Sequence, residues 1–197
     1  MIPHEDHLIE SRRQAIQAEI YTRKSAAERN RLGQFATPNA LAVEIARYIQ
    51  SVLGRTKGSI HFADPSIGSG SFFSAALAVF GSKRISSAVG VEIDPAFFDA
   101  ARNLWANAGL EVVRGDFTRI VATGSCPPAP NIILANPPYV RHHHMNRENK
   151  ERLQALTFKM TGVEVNGLAG LYVYFLGASG FSMGTDRVRR SENRSPS

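Results

Sequence analysis

Four consecutive residues at the end of an apolar run carry the sharpest chemical signal in the sequence. The run at residues 132–135 leads directly into Asn136-Pro137-Pro138-Tyr139. The Asn136 side-chain oxygen and the Pro137 carbonyl could both accept hydrogen bonds from an amino group conjugated to a ring, which would draw that amine toward tetrahedral geometry. The prolines remove competing backbone donors and stiffen the turn, and Tyr139 could stack on the ring. The segment predicts a site for a flat, weakly nucleophilic amine such as adenine N6.

A glycine-rich turn after another apolar run is the second chemical signal. It reads Asp64-Pro65-Ser66-Ile67-Gly68-Ser69-Gly70. Glycines at such positions permit a tight turn and a close approach of the backbone to a ligand. No Lys follows them, so the turn is not a phosphate loop of the Gly-Lys-Thr kind. A nucleotide-like cofactor is one interpretation, and an ordinary strand-to-helix connection is the other.

Carboxylates follow two further apolar runs. Glu92-Ile93 comes after the first of these runs, and Asp116-Phe117 comes after the second. A carboxylate at the end of a second strand can accept hydrogen bonds from ribose hydroxyls, and Ile93 would offer an apolar face to adenine. Asp116 could accept a bond from an exocyclic amine, with Phe117 as a second wall. Each carboxylate alone is equally explained as a turn or helix cap, but their recurrence at successive strand ends favours binding.

The elements that must position these residues are short strands alternating with helices. The pattern predicts strands at Ile60–Ala63, Ala88–Ile93, Glu111–Arg114 and Asn131–Ala135, with helices at Phe72–Phe80 and Ala96–Ala108. It also predicts a polar, exposed helix over Glu10–Arg31, an amphipathic helix from Thr37 to Gly54, and helices near 149–156 and 168–181. Such repeats indicate an α/β fold with a parallel sheet, helices on both faces and right-handed crossovers. Ligands gather at the carboxyl ends of these strands.

Composition narrows the class of protein. The 197 residues are 43% hydrophobic, which suits one globular core. The sequence has no apolar run of about 20 residues and no signal-like start, so we expect a cytoplasmic protein without a membrane partner. The single cysteine, Cys126, excludes an internal disulfide and a thiolate zinc pair, and we predict no metal site. The run His142-His143-His144 is interpreted as a loop rather than as a metal site.

The net charge of +6 favours a polyanionic partner. A first group of basic residues is interpreted as a solvated helix face; it comprises Arg12, Arg13, Arg23, Lys24, Arg29 and Arg31. Arg141 and Arg147 are candidate phosphate contacts near the Asn136 segment. Residues 184–197 form a basic tail that we expect to be disordered.

Five motifs, taken together and in order, carry a family resemblance. They are Gly33-Gln34-Phe35-Ala36-Thr37-Pro38, Asp64 to Phe72, Gly90 to Pro95, Gly115-Asp116-Phe117 and Asn136-Pro137-Pro138-Tyr139. This set resembles the N6-adenine DNA methyltransferases of the TaqI-like group, which belong to restriction-modification systems. The resemblance implies a Rossmann-like S-adenosylmethionine-dependent methyltransferase fold. It also implies methyl transfer from S-adenosylmethionine to N6 of an adenine that is flipped out of double-stranded DNA.

The resemblance further implies a role for each motif residue. Thr37, Asp64, Gly68 and Gly70 would surround the methionine end of the cofactor, and Glu92 would bind its ribose. Ile93 and Phe117 would enclose its adenine, while Asp116 would accept a bond from the adenine amino group. Asn136 and Pro137 would bind the target amine, Pro138 would stiffen the turn, and Tyr139 would stack on the target base.

The family pattern also predicts a domain division and leaves alternatives open. We expect an N-terminal polar helical region at 1–32, a partial catalytic domain at 33–183 and the tail at 184–197. The family's C-terminal strands and target-recognition domain are missing from this pattern, so we expect a truncated copy whose partners would be a restriction enzyme or a complementing C-terminal half. The alternatives are a protein-glutamine or RNA methyltransferase, an inactive cofactor-binding remnant or partner-dependent subunit, and, last, a nicotinamide oxidoreductase, which would leave Asn136 to Tyr139 without a task.

Overall fold

A computed structural model describes residues 4–54, 58–123 and 129–182 of the chain. Within these ranges there are eight α-helices and four β-strands, and strands alternate with helices between Ile60 and Ile133. The helices are α1 (His4–Thr22), α2 (Ala26–Leu32), α3 (Asn39–Leu53), α4 (Ser71–Phe80), α5 (Pro95–Trp105), α6 (Phe117–Ala122), α7 (Arg147–Thr161) and α8 (Leu171–Ser182). The strands are β1 (Ile60–Asp64), β2 (Ile85–Glu92), β3 (Leu110–Arg114) and β4 (Ile132–Ile133). Cys126 and the tail at 184–197 lie outside the described residues.

The four strands form one parallel sheet in the order β3-β2-β1-β4. At its carboxyl edge Asp64 pairs with Gly90, and two residues further along Glu92 pairs with Arg114. This register brings the ends of β1, β2 and β3 to one edge, as parallel pairing requires. The predicted α/β class and parallel sheet are therefore confirmed.

Helices cover both faces of the sheet. Ala88 and Val91 lie three residues apart on β2, so they point to opposite faces. Ala88 joins a core built on α3, α4 and α5, in which Phe73 and Trp105 meet edge to face with ring centroids 5.3 Å apart. Val91 joins a smaller core with Phe117 of α6 and residues of α8. The apolar runs of the strands are thus buried from both sides, which is typical of parallel sheets.

The prediction of one helix over Glu10–Arg31 was wrong, because α1 ends at Thr22 and a second helix, α2, begins at Ala26. Ser25 starts α2 as the N-cap of a capping box: its hydroxyl accepts a bond from the Glu28 N–H, and the Glu28 carboxylate accepts one from the Ser25 N–H. A capping box is a strong local signal for a new helix start, and it outweighs the helical propensity of the surrounding residues. The two helices place their ends against the sheet edge described above.

The fourth strand is shorter than the predicted Asn131–Ala135, since only Ile132–Ile133 pair as a strand. Asn131 anchors the start of this short strand: its N–H donates to the His61 carbonyl at 3.0 Å, its Oδ1 accepts from the His61 N–H at 2.8 Å, and its Nδ2 donates to the Ser59 carbonyl at 2.8 Å. After this strand the prolines of residues 137–138 cannot donate to a ladder. The Asn136 segment is therefore fixed by other contacts than strand pairing.

Other boundaries shift by a few residues. Strand β2 begins at Ile85 and ends at Glu92, so Ile93 lies just beyond it. Helix α7 is longer than predicted, α6 was not predicted, and residues 142–144 form a short 3-10 turn. No helix in the described ranges is both long enough and apolar enough to span a bilayer.

Candidate functional site

The glycine-rich turn after β1 is fastened by hydrogen bonds to the end of β2. The Asp64 carboxylate accepts a bond from the Ser66 N–H at 2.9 Å. One oxygen of Glu92 accepts from the Gly68 N–H at 2.8 Å, and the other accepts from the Asp94 N–H at 2.8 Å. Backbone donors of the turn are thereby satisfied by buried carboxylates, so the turn is held in one conformation without any ligand.

Burial perturbs both carboxylates at this edge. Asp64 is 2% exposed, and burial raises its pKa to about 8, with the nearby Glu92 charge adding to the increase and the Ser66 N–H opposing it. Burial also raises the pKa of Glu92, which is 8% exposed, against the lowering effect of the Asp94 and Gly68 N–H groups. Neighbouring carboxyl groups with raised pKa values are a feature found at functional sites.

Two adjoining cavities open above these residues, a larger one of about 810 Å³ and a smaller one of about 150 Å³. Five residues line both of them, namely Leu32, Ser66, Glu92, Ile93 and Pro138. The larger cavity extends past the end of β3, and the smaller one extends over the glycine-rich turn toward α1. The shared wall makes the pair one elongated cleft along the carboxyl edge of the sheet.

The structure brings most of the predicted site residues to this cleft. Glu92, Ile93 and Pro138 line both cavities; Asp116 and Phe117 line the larger one; Thr37, Gly68 and Asn136 line the smaller one. The remaining four residues line neither cavity: Asp64, Gly70, Pro137 and Tyr139. The ligand contacts expected of all twelve stay predictions.

Asp64 and Gly70 shape the turn instead of lining the cleft. Gly70 has φ +91, and a Cβ atom built on it would lie 2.2 Å from Nε1 of Trp105. That indole donates to the Ser69 carbonyl at 2.9 Å. Only glycine leaves room for this contact, so Trp105 fixes the turn from below.

Asp116 serves as a helix cap as well as a wall of the larger cavity. Its Oδ1 accepts from the N–H and the hydroxyl of Thr118, at 2.9 and 2.6 Å, at the start of α6. Its Oδ2 lies 3.5 Å from Arg119 and from Arg152 of α7. The capping interpretation thus holds, but it occupies one oxygen and leaves the other beside two guanidinium groups. Phe117 is largely buried and packs on Phe175, with ring centroids 5.5 Å apart.

The Asn136 amide is held in a defined orientation. Its Nδ2 donates to the Phe35 carbonyl at 2.9 Å and to the Thr37 hydroxyl at 3.1 Å. Because a carbonyl can only accept, this pairing fixes which end of the amide faces Phe35. Both N–H groups are then used, and Oδ1 has no donor among the described residues. The result is an oriented acceptor at the edge of the smaller cavity.

The segment at residues 33–37 reaches Asn136 because of one glycine. Gly33 ends α2 with φ +64, and its carbonyl accepts from the Tyr139 N–H at 3.2 Å. A Cβ atom at Gly33 would lie 2.4 Å from the Tyr139 nitrogen. The close approach of the two backbones therefore requires glycine and aligns the Gln-Phe-Ala-Thr-Pro and Asn-Pro-Pro-Tyr motifs side by side.

Three exposed aromatic rings form what we call the aromatic rim: Phe35, Tyr139 and Tyr172. Their exposed fractions are 53%, 52% and 43%. The Tyr139 ring lies 6.3 Å from Phe35 in an edge-to-face arrangement and 6.1 Å from Tyr172 in a tilted one. Large exposed rings that contact each other at the edge of a cleft offer stacking surfaces to a planar ligand.

Arg13 is the residue that sequence reasoning misjudged most. It was interpreted as part of a solvated helix face, yet it is 1% exposed. Its guanidinium donates twice to Glu10, at 2.8 and 2.7 Å, and also to Gln17 and to the Ser69 hydroxyl, each at 2.8 Å. The spacing of Glu10, Arg13 and Gln17 on one helix face was the only sequence signal of this network, and Ser69, 56 residues away, was not foreseeable from it.

Comparison with known proteins agrees with this geometry. Residues 18–171 match the family model described as N-6 DNA Methylase. The chain is similar to Type II methyltransferase M.XamI of Xanthomonas campestris pv. amaranthicola, with 31% identity over 152 residues. The match covers 74% of this chain but spans only 26% of that relative, about a quarter of its length.

Solved structures show the same fold at lower identity. The type IIG restriction endonuclease BpuSI superposes with a TM-score of 0.62 at 19% identity, over 86% of this chain and 20% of the other. The type I restriction-modification system methyltransferase subunit from Streptococcus thermophilus gives a TM-score of 0.56 at 18% identity, over 75% and 32% of the two chains. With a family model that covers most of its length and a relative above 30% identity, the chain belongs to the N-6 DNA methylase family.

Proposed function

We propose that this chain binds S-adenosylmethionine and carries the catalytic residues that transfer its methyl group to N6 of adenine in DNA. The observation that carries the proposal is the orientation of Asn136, whose amide N–H groups are used by Phe35 and Thr37 while Oδ1 meets no donor among the described residues. An amine that must be drawn out of conjugation needs acceptors that are fixed before it arrives. Membership of the N-6 DNA methylase family supports the same reaction.

The donors and acceptors of the cleft fit the proposed cofactor. Glu92 would accept from the ribose hydroxyls, since each of its oxygens makes one bond and has a second lone pair. Ile93 is 64% exposed beside it and would cover the adenine ring. The second oxygen of Asp116 would accept from the adenine amino group, and Thr37 and Gly68 would lie at the methionine end. When bound, S-adenosylmethionine supplies a methyl group activated by an adjacent sulfonium charge.

The target side of the proposal rests on Asn136 and the aromatic rim. Asn136 Oδ1 and the Pro137 carbonyl would accept the two hydrogens of the target amine, and Tyr139 would stack on its ring. Because N6 is buried in a duplex, the adenine would have to be flipped out to reach these groups. Arg141 and Arg147 are exposed, with Arg147 paired to Glu151, and would contact phosphates. A restriction enzyme is proposed as a functional partner, supported by the restriction-modification relatives.

Two measurements test the proposal. Calorimetric titration of the chain with S-adenosylmethionine should show one site. Incubation with labelled cofactor and unmethylated duplex DNA, followed by digestion to nucleosides, should yield N6-methyl-2'-deoxyadenosine. Asn136→Ala should reduce transfer by about 100-fold or more, as for loss of one oriented transition-state hydrogen bond. Cofactor affinity should change much less than the transfer rate, because the proposed contacts at Glu92, Ile93 and Asp116 do not involve Asn136 and only Thr37 bonds to its side chain.

The other outcomes identify the alternatives. Cofactor binding without transfer to DNA, RNA or protein would indicate a cofactor-binding subunit that depends on a partner. If methyl transfer occurs to RNA or to protein glutamine alone, the proposed role of Asn136 stands but DNA is not the substrate. A folded sample that does not bind S-adenosylmethionine would overturn the proposal itself.

A further inference from the structure

Helix α1 contributes directly to the smaller cavity through the side chains of Gln17 and Tyr21. The family resemblance assigned no role to this helix. The Arg13 network, defined by Glu10, Arg13, Gln17 and Ser69, docks α1 against the glycine-rich turn. The cavity wall over that turn is therefore shared between the sheet edge and an N-terminal helix.

The carbonyl end of the Gln17 amide is fixed by two donors. Oε1 accepts from Arg13 at 2.8 Å and from the Ser69 hydroxyl at 2.9 Å. Arg13 in turn is charge-neutralised by Glu10, which also accepts from the Ser74 hydroxyl. Because the oxygen is held, the orientation of the amide nitrogen is fixed as well, and Nε2 has no acceptor among the residues that the structure describes.

The smaller cavity has donors but no cation. Its lining contains no Lys, Arg or His, and its one carboxylic acid is Glu92. A second glutamine in the wall, Gln34, is already engaged, since its Nε2 donates to Asp94 at 3.1 Å and its Oε1 accepts from Lys24 at 3.0 Å. A carboxylate that enters this cavity must therefore be bound by neutral donors, and Gln17 Nε2 is an oriented amide donor in the wall that is not otherwise engaged.

We infer that Gln17 binds the α-carboxylate of the amino-acid end of S-adenosylmethionine, and that Arg13 and Ser69 position it. This inference rests on the proposed function, because it names a ligand for the same cofactor. A fixed N–H donor binds a carboxylate more strongly than a freely rotating one, since less side-chain freedom is lost on binding. Helix α1 then belongs to the cofactor site.

The test compares two ligands that differ only in this group. Dissociation constants for S-adenosylmethionine and for decarboxylated S-adenosylmethionine are measured by calorimetry with the wild-type chain and with Gln17→Met. The wild type should prefer the carboxylated ligand by about tenfold or more, the range for a hydrogen bond to a charged group. Gln17→Met should weaken the carboxylated ligand by a similar factor and leave the decarboxylated one unchanged.

Two further variants distinguish the direct contact of Gln17 with the carboxylate from the positioning of Gln17 by its neighbours. Arg13→Lys should lose part of the preference, because one ammonium cannot hold Glu10, Gln17 and Ser69 at once. Gln50→Met removes another partly buried glutamine, whose Nε2 donates to the Val79 carbonyl at 2.8 Å away from both cavities. It should lower stability without changing the ligand preference.

The outcomes distinguish this inference from the proposed function. If the wild type binds neither ligand, both the proposed function and this inference are overturned. If it binds both ligands equally, or if Gln17→Met weakens both by the same factor, the carboxylate contact is overturned while the cofactor proposal stands.

Discussion

The two ends of the cleft are built in different ways. At the end that we propose to hold the cofactor, called the cofactor end, Asp64 and Glu92 are buried and their oxygens hold the glycine-rich turn through backbone N–H groups. At the end that we propose to hold the target base, called the target end, the aromatic rim is about half exposed, and its support comes from residues 33–37 rather than from a full strand. The cofactor end is therefore preformed by local elements, whereas the target end depends on contacts between distant segments.

This difference separates the energetic roles of the two ends. A preformed, buried pocket loses little conformational entropy when a ligand binds. Exposed rings can reorient to accept a base, and the fixed point among them is the Asn136 amide. Substitutions that disturb the long-range contact should therefore affect both folding and the proposed target end, whereas substitutions at the buried carboxylates should appear as pH-dependent changes in stability.

Gly33→Ala should have the largest effect. The added Cβ would overlap the backbone of Tyr139 at 2.4 to 2.7 Å, and backbone at this point cannot move without displacing Asn136. We expect a loss of at least about 4 kcal/mol in the free energy of unfolding, or failure to fold. Chemical denaturation followed by circular dichroism measures it.

Gly162→Ala is the matched control for this steric effect. Gly162 also ends a helix with positive φ, but a Cβ atom there meets no other atom within 4 Å. Only the left-handed backbone cost of about 1 to 2 kcal/mol should appear. Equal losses in the two variants would show that the contact between residues 33 and 139 does not matter, and the contrast between the two ends would fail.

Asp64→Asn should produce a pH-dependent change of about 4 kcal/mol in stability relative to wild type between pH 5 and pH 9. The pKa of Asp64 is raised from 3.8 when unfolded to about 8 when folded, so the folded protein binds the proton more tightly. Binding of this proton stabilises the folded protein fully below pH 4, and this contribution is lost progressively as the pH rises from 4 through 8. Asparagine cannot ionise, so the variant's stability relative to wild type should increase from pH 5 to pH 9.

Urea denaturation at the two pH values measures this change. The difference between the pH values cancels any pH-independent effect of the substitution, such as an altered bond to the Ser66 N–H. A constant stability difference between pH 5 and pH 9 would contradict the raised pKa of Asp64. It would also contradict the view that this end of the cleft is preformed before a ligand binds.

Much of the cofactor end could be predicted from the sequence, because its residues directly follow apolar runs that must form strands. Glu92 and Asp116 needed only the rule that parallel strands present their carboxyl ends at one edge. The orientation of Asn136 could not be predicted in this way, since it depends on a carbonyl 101 residues earlier. The burial of Arg13 could not be predicted from neighbouring residues either, because the pattern of a polar helix does not indicate which of its charged side chains contacts Ser69.

Tyr172→Leu should have the smallest effect and tests the separation of the two ends most finely. Tyr172 contacts Tyr139 but lines neither cavity. Loss of the ring pair should cost about 1 kcal/mol, seen as a KM for DNA raised about fivefold with unchanged affinity for S-adenosylmethionine. Tyr48→Leu, on the exposed face of α3, should change neither quantity. If Tyr172→Leu weakened the cofactor as much as DNA, the rim would be part of the cofactor pocket, and the two ends would have to be regarded as one site.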